Sequence, residues 1–138
     1  MNSAAYIICK ELSSNDIGET GSHQSGILIP KNSEILNFFP SLDKNETNPR
    51  KSLFFKDART GTSWEFNFIY YNNKTRNEYR LTKMTRYINS KNISAGDFIF
   101  MSKGVSGDIT IDIKNTGLEK NPDTPISEIA GWQIMLGL

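Results

Sequence analysis

The feature that most constrains this chain is an alternation that runs from Trp64 to Tyr71 and resumes from Thr75 to Lys83. Trp64, Phe66, Phe68 and Tyr70 alternate with Glu65, Asn67, Ile69 and Tyr71. A period of two belongs to a strand with one buried face. Asn72-Asn73 is a turn signal, and the chain then returns as a second strand. On that return, side chains two apart share a face. Arg76, Glu78 and Arg80 therefore line up together, while Thr75, Asn77, Tyr79 and Leu81 point the other way.

Around this hairpin the sequence offers further short strands. Ala4 to Leu12, Ile27 to Ile29, Ser52 to Lys56, Phe98 to Met101, Ile109 to Ile113 and Ile129 to Leu138 all read as extended. Ser33 is a plausible N-cap for a short helix with Ile35, Leu36 and Phe39 on one face, and Pro40 stops it. Met84 to Lys91 reads as a second short helix. Asn115 to Pro125 reads as a loop. Seven or so strands with two small helices predict a mainly β barrel or sandwich. The 138 residues suffice for one domain with a real core, taken as 1–138.

Composition narrows the chemistry. One cysteine, Cys9, and one histidine exclude an intrachain disulfide and any metal site built on Cys and His. No catalytic set, metal site or cofactor motif stands out. The start of the chain has no secretory signal, and no apolar run approaches a membrane span, so a cytoplasmic protein without membrane partners is expected. The net charge is only +1, but its distribution is uneven. Lys74, Arg76, Arg80, Lys83 and Arg86 face the single acid Glu78 over that segment, which gives one region a positive potential.

That region has the right chemistry to read DNA. A strand rises about 3.3 Å per residue and one DNA strand about 3.4 Å per base. Arg fits guanine bidentately, and Glu accepts from the cytosine amino group. Lys74, Lys83 and Arg86 fall outside the row and suit phosphates, which position without specifying. The competing reading is a solvated hairpin in which Glu78 pairs with its arginine neighbours. A second candidate is the loop from Lys10 to Gln24, where Lys10, Asn15, Asp16, Thr20, His23 and Gln24 supply donors and acceptors between glycines. Taken alone, that loop reads as ordinary surface.

Two long motifs resemble one family. Lys10, then Leu12-Ser13-Ser14-Asn15-Asp16, Gly18, Thr20-Gly21, His23-Gln24, Gly26 and Ile29-Pro30 form the first. Lys74-Thr75-Arg76-Asn77-Glu78-Tyr79-Arg80-Leu81-Thr82 forms the second, with Phe38-Phe39-Pro40 and Asn48-Pro49 between them. Together they resemble the N-terminal effector-binding domain of EcoRII-type restriction endonucleases. Ile93 to Phe100, with Gly96-Asp97, is similar to the plant B-three-type DNA-binding domains.

The resemblance implies a seven-stranded open β-barrel, or pseudobarrel, with an N-arm at about 10–30 and a C-arm at about 72–84 gripping the major groove of double-stranded DNA. It implies N-arm contacts from Lys10 and His23, with Asn15, Asp16, Thr20 and Gln24 beside them. On the C-arm it implies Lys74, Arg76, Asn77, Glu78, Tyr79, Arg80 and Lys83. Tyr79 departs from the family pattern, where a lysine is expected. A CCWGG-like target and a covalently linked nuclease domain are implied too, with no catalysis in this domain itself. Two alternatives stay open: a small Mg²⁺-dependent nuclease using acids near Asp108, Asp112 and Glu119, or a non-DNA interaction module built on the aromatic strand.

Overall fold

The structure is a computed structural model, and it describes residues 4–18, 26–118 and 126–135. In chain order the elements are β1 (Ala4–Glu11), β2 (Ile27–Ile29), α1 (Ser33–Leu36), β3 (Arg50–Asp57), β4 (Ser63–Asn72) and β5 (Asn77–Thr82). There follow α2 (Thr85–Ser90), β6 (Phe98–Gly104), β7 (Ile109–Lys114), β8 (Ile126–Ile129) and β9 (Trp132–Met135). The strands form one sheet in the order β2-β5-β4-β3-β7-β6-β1-β9-β8.

Each neighbouring pair is antiparallel except β3 and β7, which run parallel and meet only at Lys56↔Thr110 and Asp57↔Ile111. The sheet curls until its ends approach without sharing a ladder. Trp132 Nε1, beside one edge, donates to the Leu28 carbonyl on the other at 3.4 Å. This is a mainly β open barrel.

The alternation places one face inside. Phe66, Phe68, Leu81, Ile27, Ile29, Phe55, Ile8, Ile99, Met101, Ile111, Trp132 and Ile134 are all buried in one core. The two helical segments pack against it through Ile35, Phe38, Phe39, Tyr87 and Ile88. Phe39, just after α1, stacks on Phe68 with centroids 4.6 Å apart. Tyr87 of α2 meets Trp64 edge-on at 5.3 Å. Below it the buried Asp57 pairs with Lys91 and accepts from the amides of Arg59 and Thr60. Burial alone would raise the Asp57 carboxyl, but Lys91 and those amides outweigh it and hold it below the ordinary carboxylate range.

Three expectations need correction. Among the described residues the sheet has nine strands rather than seven or so: eight stretches read as extended, and the one read as a single closing strand from Ile129 to Leu138 belongs to a hairpin, β8–β9. Its turn residues Ala130 (φ 51°) and Gly131 (φ 86°) both sit at positive φ, as a tight type I′ turn requires. Asn32, not Ser33, caps α1, its side chain accepting from the amides of Glu34 (2.9 Å) and Ile35 (3.3 Å). The third strand starts at Arg50 rather than Ser52.

Candidate nucleic-acid interface

β4 and β5 pair from Asn67↔Thr82 out to Asn72↔Asn77. Beyond them the tip is closed by Asn73, whose Oδ1 accepts from the Thr75 amide (3.0 Å), the Thr75 hydroxyl (2.9 Å) and the Arg76 amide (2.9 Å). This side chain mimics a backbone turn and leaves Lys74 exposed at the apex. Tyr79 and Leu81 turn inward and are buried. Arg76, Glu78 and Arg80 share the opposite, outer face.

On that face the three charges form one set. Glu78 Oε2 accepts from Arg76 Nη2 at 3.1 Å and from Arg80 Nε. The Arg76 guanidinium also lies 4.1 Å from the Tyr71 ring centroid. Hydrogen bonding from Arg80, partly opposed by burial and reinforced by Arg76, holds the Glu78 carboxyl below its ordinary range. The pairing that competed with base reading in the sequence is therefore present, and the shared carboxylate holds both guanidinium groups on one face.

The other C-arm candidates divide by location. Asn77 Oδ1 accepts from the Tyr70 hydroxyl at 2.7 Å and from Lys31 Nζ, on the core-facing side of the ribbon. Tyr79 is sandwiched between Tyr70 (centroids 4.4 Å apart) and Phe68 (5.6 Å), so its ring serves the core. Lys83 sits at positive φ and reaches Glu65 Oε1 at 3.0 Å, an exposed pair.

At the root of the N-arm, Lys10 Nζ meets Asp16 Oδ2 at 2.5 Å, with side-chain exposures of 14% and 9%. Asp16 also accepts from the Ser13 amide at 3.0 Å, while its own amide donates to Ser13 Oγ at 3.1 Å. Asn15 is exposed on the turn that follows, which Gly18 closes at φ 82°. Thr20, His23 and Gln24 lie outside the described residues.

The alternatives fare differently. Phe66 and Phe68 are buried and Trp64 half-buried, so the aromatic strand offers no exposed platform. Asp112 is held by Arg59 Nε at 2.8 Å. Among the described residues, no group of three or more His, Cys, Asp or Glu is arranged to hold a metal ion. No described helix is long and apolar enough to cross a membrane.

Residues 1–121 match the family described as restriction endonuclease EcoRII, N-terminal. The chain belongs to that family. Over 86 residues, 56% of this chain, it is 37% identical to the type II restriction enzyme EcoRII of Escherichia coli, covering 20% of that enzyme. Over 134 residues, 97% of this chain, it is 27% identical to auxin response factor 9 of Oryza sativa subsp. japonica, covering 19% of that protein. This member of the EcoRII N-terminal family thus spans a fifth or less of these relatives.

Solved structures share its fold. The chain in the Arabidopsis FUS3–DNA complex superposes with a TM-score of 0.62 at 22% identity, over 79% of this chain and 96% of that one. The B3 domain of the UbaLAI restriction endonuclease, solved with cognate DNA, gives 0.55 at 20% identity, over 82% of this chain and 68% of that one.

Sequence reasoning missed the contacts that support the C-arm from the side. The loop ahead of β3 runs along the free edge of β4 and bonds to it through Asn48 and Pro49. The available signal was Asn48-Pro49, present in the family pattern but assigned no role by spacing alone.

Proposed function

We propose that this chain is a sequence-specific double-stranded DNA-binding domain that grips the major groove with its N-arm and C-arm. It acts as the target- or effector-recognition part of a type II restriction endonuclease, with a nuclease domain elsewhere in a longer protein and no catalytic site of its own. The observation that carries this reading is the Arg76–Glu78–Arg80 row on the outer face of a projecting ribbon. Each two-residue step, from Arg76 to Glu78 and from Glu78 to Arg80, advances about 6.6 Å along a strand, which matches bases roughly two steps apart. Membership of the EcoRII N-terminal family, and a fold shared with chains solved on DNA, support it.

In this reading Arg76, Glu78 and Arg80 meet base edges. Lys74, Asn77 and Lys83 meet the backbone or flank it, and Tyr79 shapes the ribbon from beneath. Lys10, Asn15, Asp16, Thr20, His23 and Gln24 form the opposing arm. The test compares labelled duplexes carrying CCWGG with a scrambled duplex, at moderate salt with Mg²⁺. Tight, site-dependent binding without cleavage is expected. Equal weak binding to both would reject the CCWGG-like site, and a random-duplex selection would then define the target. Failure to select any duplex would overturn the function.

A further inference from the structure

A two-stranded ribbon standing alone is marginal in water, and the outer part of the C-arm is such a ribbon. β3 accompanies β4 only as far as Arg50↔Ile69, so Tyr70, Tyr71 and Asn72 run past its end. The amides of Tyr70 and Asn72 on that edge nevertheless have partners. Tyr70 N donates to the Pro49 carbonyl at 3.0 Å, and Asn72 N donates to Asn48 Oδ1 at 3.2 Å. The Asn48 amide answers, donating to Asn72 Oδ1 at 2.7 Å. Asn72 Nδ2 donates to the carbonyls of Glu46 (2.8 Å) and Lys44 (3.3 Å), and Asn73 Nδ2 donates to Asn48 Oδ1 at 3.1 Å. Asn48 holds φ 49°, a left-handed conformation that asparagine tolerates better than most residues. The loop substitutes for a missing third strand, and three asparagine side chains do the joining.

We propose that Asn48 and Asn72 are positioning residues for sequence reading, a clasp that sets the angle at which the C-arm presents Arg76 and Arg80. Bidentate recognition tolerates displacements of only about 0.5 Å, so an arm that hinges at Ile69 would still bind DNA but would discriminate poorly. The inference rests on the DNA-binding reading above.

The two asparagines use different chemistry, and this provides a charge-matched test. Among the described residues Asn48 contributes only an acceptor from its side chain, a role that aspartate keeps. Asn72 needs its Nδ2 donor, which aspartate lacks. Asn48→Asp and Asn72→Asp add the same charge close to one another, but only the second breaks the clasp. Asn48→Gly keeps the left-handed backbone and removes the acceptor. The experiment selects a preferred duplex from a random pool with the unsubstituted domain. It then measures, for each variant, the ratio of affinities for that duplex and a scrambled one, alongside hydrogen exchange at the Thr75 and Arg76 amides.

Asn72→Asp and Asn48→Gly are expected to lower the ratio about fivefold or more, the cost of one misplaced bidentate contact, and to speed exchange at the tip. Asn48→Asp should stay close to the unsubstituted ratio. Unchanged ratios in Asn72→Asp and Asn48→Gly, or a fall in Asn48→Asp equal to that in Asn72→Asp, would overturn the clasp and leave the DNA reading intact. An unsubstituted domain with no preferred duplex would overturn both.

Discussion

The two arms each set a carboxylate against basic side chains, yet they do so in different surroundings. At the N-arm root, Asp16 and Lys10 are almost wholly withdrawn from solvent, and Asp16 also ties down the Ser13 amide. On the C-arm, Glu78 serves Arg76 and Arg80 with exposures of 28%, 40% and 25%. A buried pair is costly to break because the survivor is left charged and unsolvated. A half-exposed set exchanges its partners cheaply, because water or another polar group can replace them. One carboxylate ties down a turn, while the other holds two partly exposed guanidinium groups.

This contrast can be broken by experiment. Asp16→Ala should destabilise the domain by about 2–3 kcal/mol in urea unfolding, since it leaves the Ser13 amide without its acceptor and the Lys10 ammonium with only the Glu11 carbonyl. A loss no larger than that of an exposed pair would move Lys10 from the scaffold to the DNA-facing surface. Arg80→Ala should leave the unfolding midpoint nearly unchanged while removing about 1–3 kcal/mol of discrimination between the selected and scrambled duplexes. Uniform weakening on both duplexes would refute base reading at that position.

Acid sharpens the comparison at Glu78. Its carboxyl titrates below its unfolded value, so the stability it contributes is complete above that value and is lost as pH falls through the folded one. Between about pH 5 and pH 3 the unsubstituted domain should therefore lose slightly more stability than Glu78→Gln, by under about 1 kcal/mol. Parallel curves would show that the set contributes nothing. The smallest effect is expected at Lys83, outside both sets. Lys83→Ala should weaken binding to all duplexes alike and reduce the salt slope by about 1. A change confined to one base position would reassign it.

What could be read in advance follows from the range of the forces involved. The C-arm was legible residue by residue, because a period of two assigns faces without knowledge of the rest of the chain. Tyr79 and Leu81 went inward and Arg76, Glu78 and Arg80 outward, as the alternation demands. The mainly β class was legible for the same reason. The β8–β9 hairpin was not, because Ala130-Gly131 interrupts an apolar run with a turn that needs only two residues. The N-cap shifted by one residue because two adjacent residues, Asn32 and Ser33, both suit that role, and only backbone geometry chooses between them. The Asn48–Asn72 joint spans 24 positions, and no local pattern announces a bond between two polar residues so far apart. Tyr79 illustrates a third limit. The resemblance marked the position as a contact, but an aromatic side chain there is drawn into the stack with Phe68 and Tyr70.

The shared carboxylate of Glu78 also bears on how such a domain would search. Grip on DNA of arbitrary sequence grows with the number of cations free to displace counterions. Arg76 and Arg80 are paired with Glu78, and in the proposed reading a base edge of the right pattern would have to replace it. Wrong sequences would then be released quickly, and residence time would lengthen only where the exchange of partners is complete. With a net charge of only +1 for the whole chain, slow non-specific loitering is the behaviour such an arrangement would avoid.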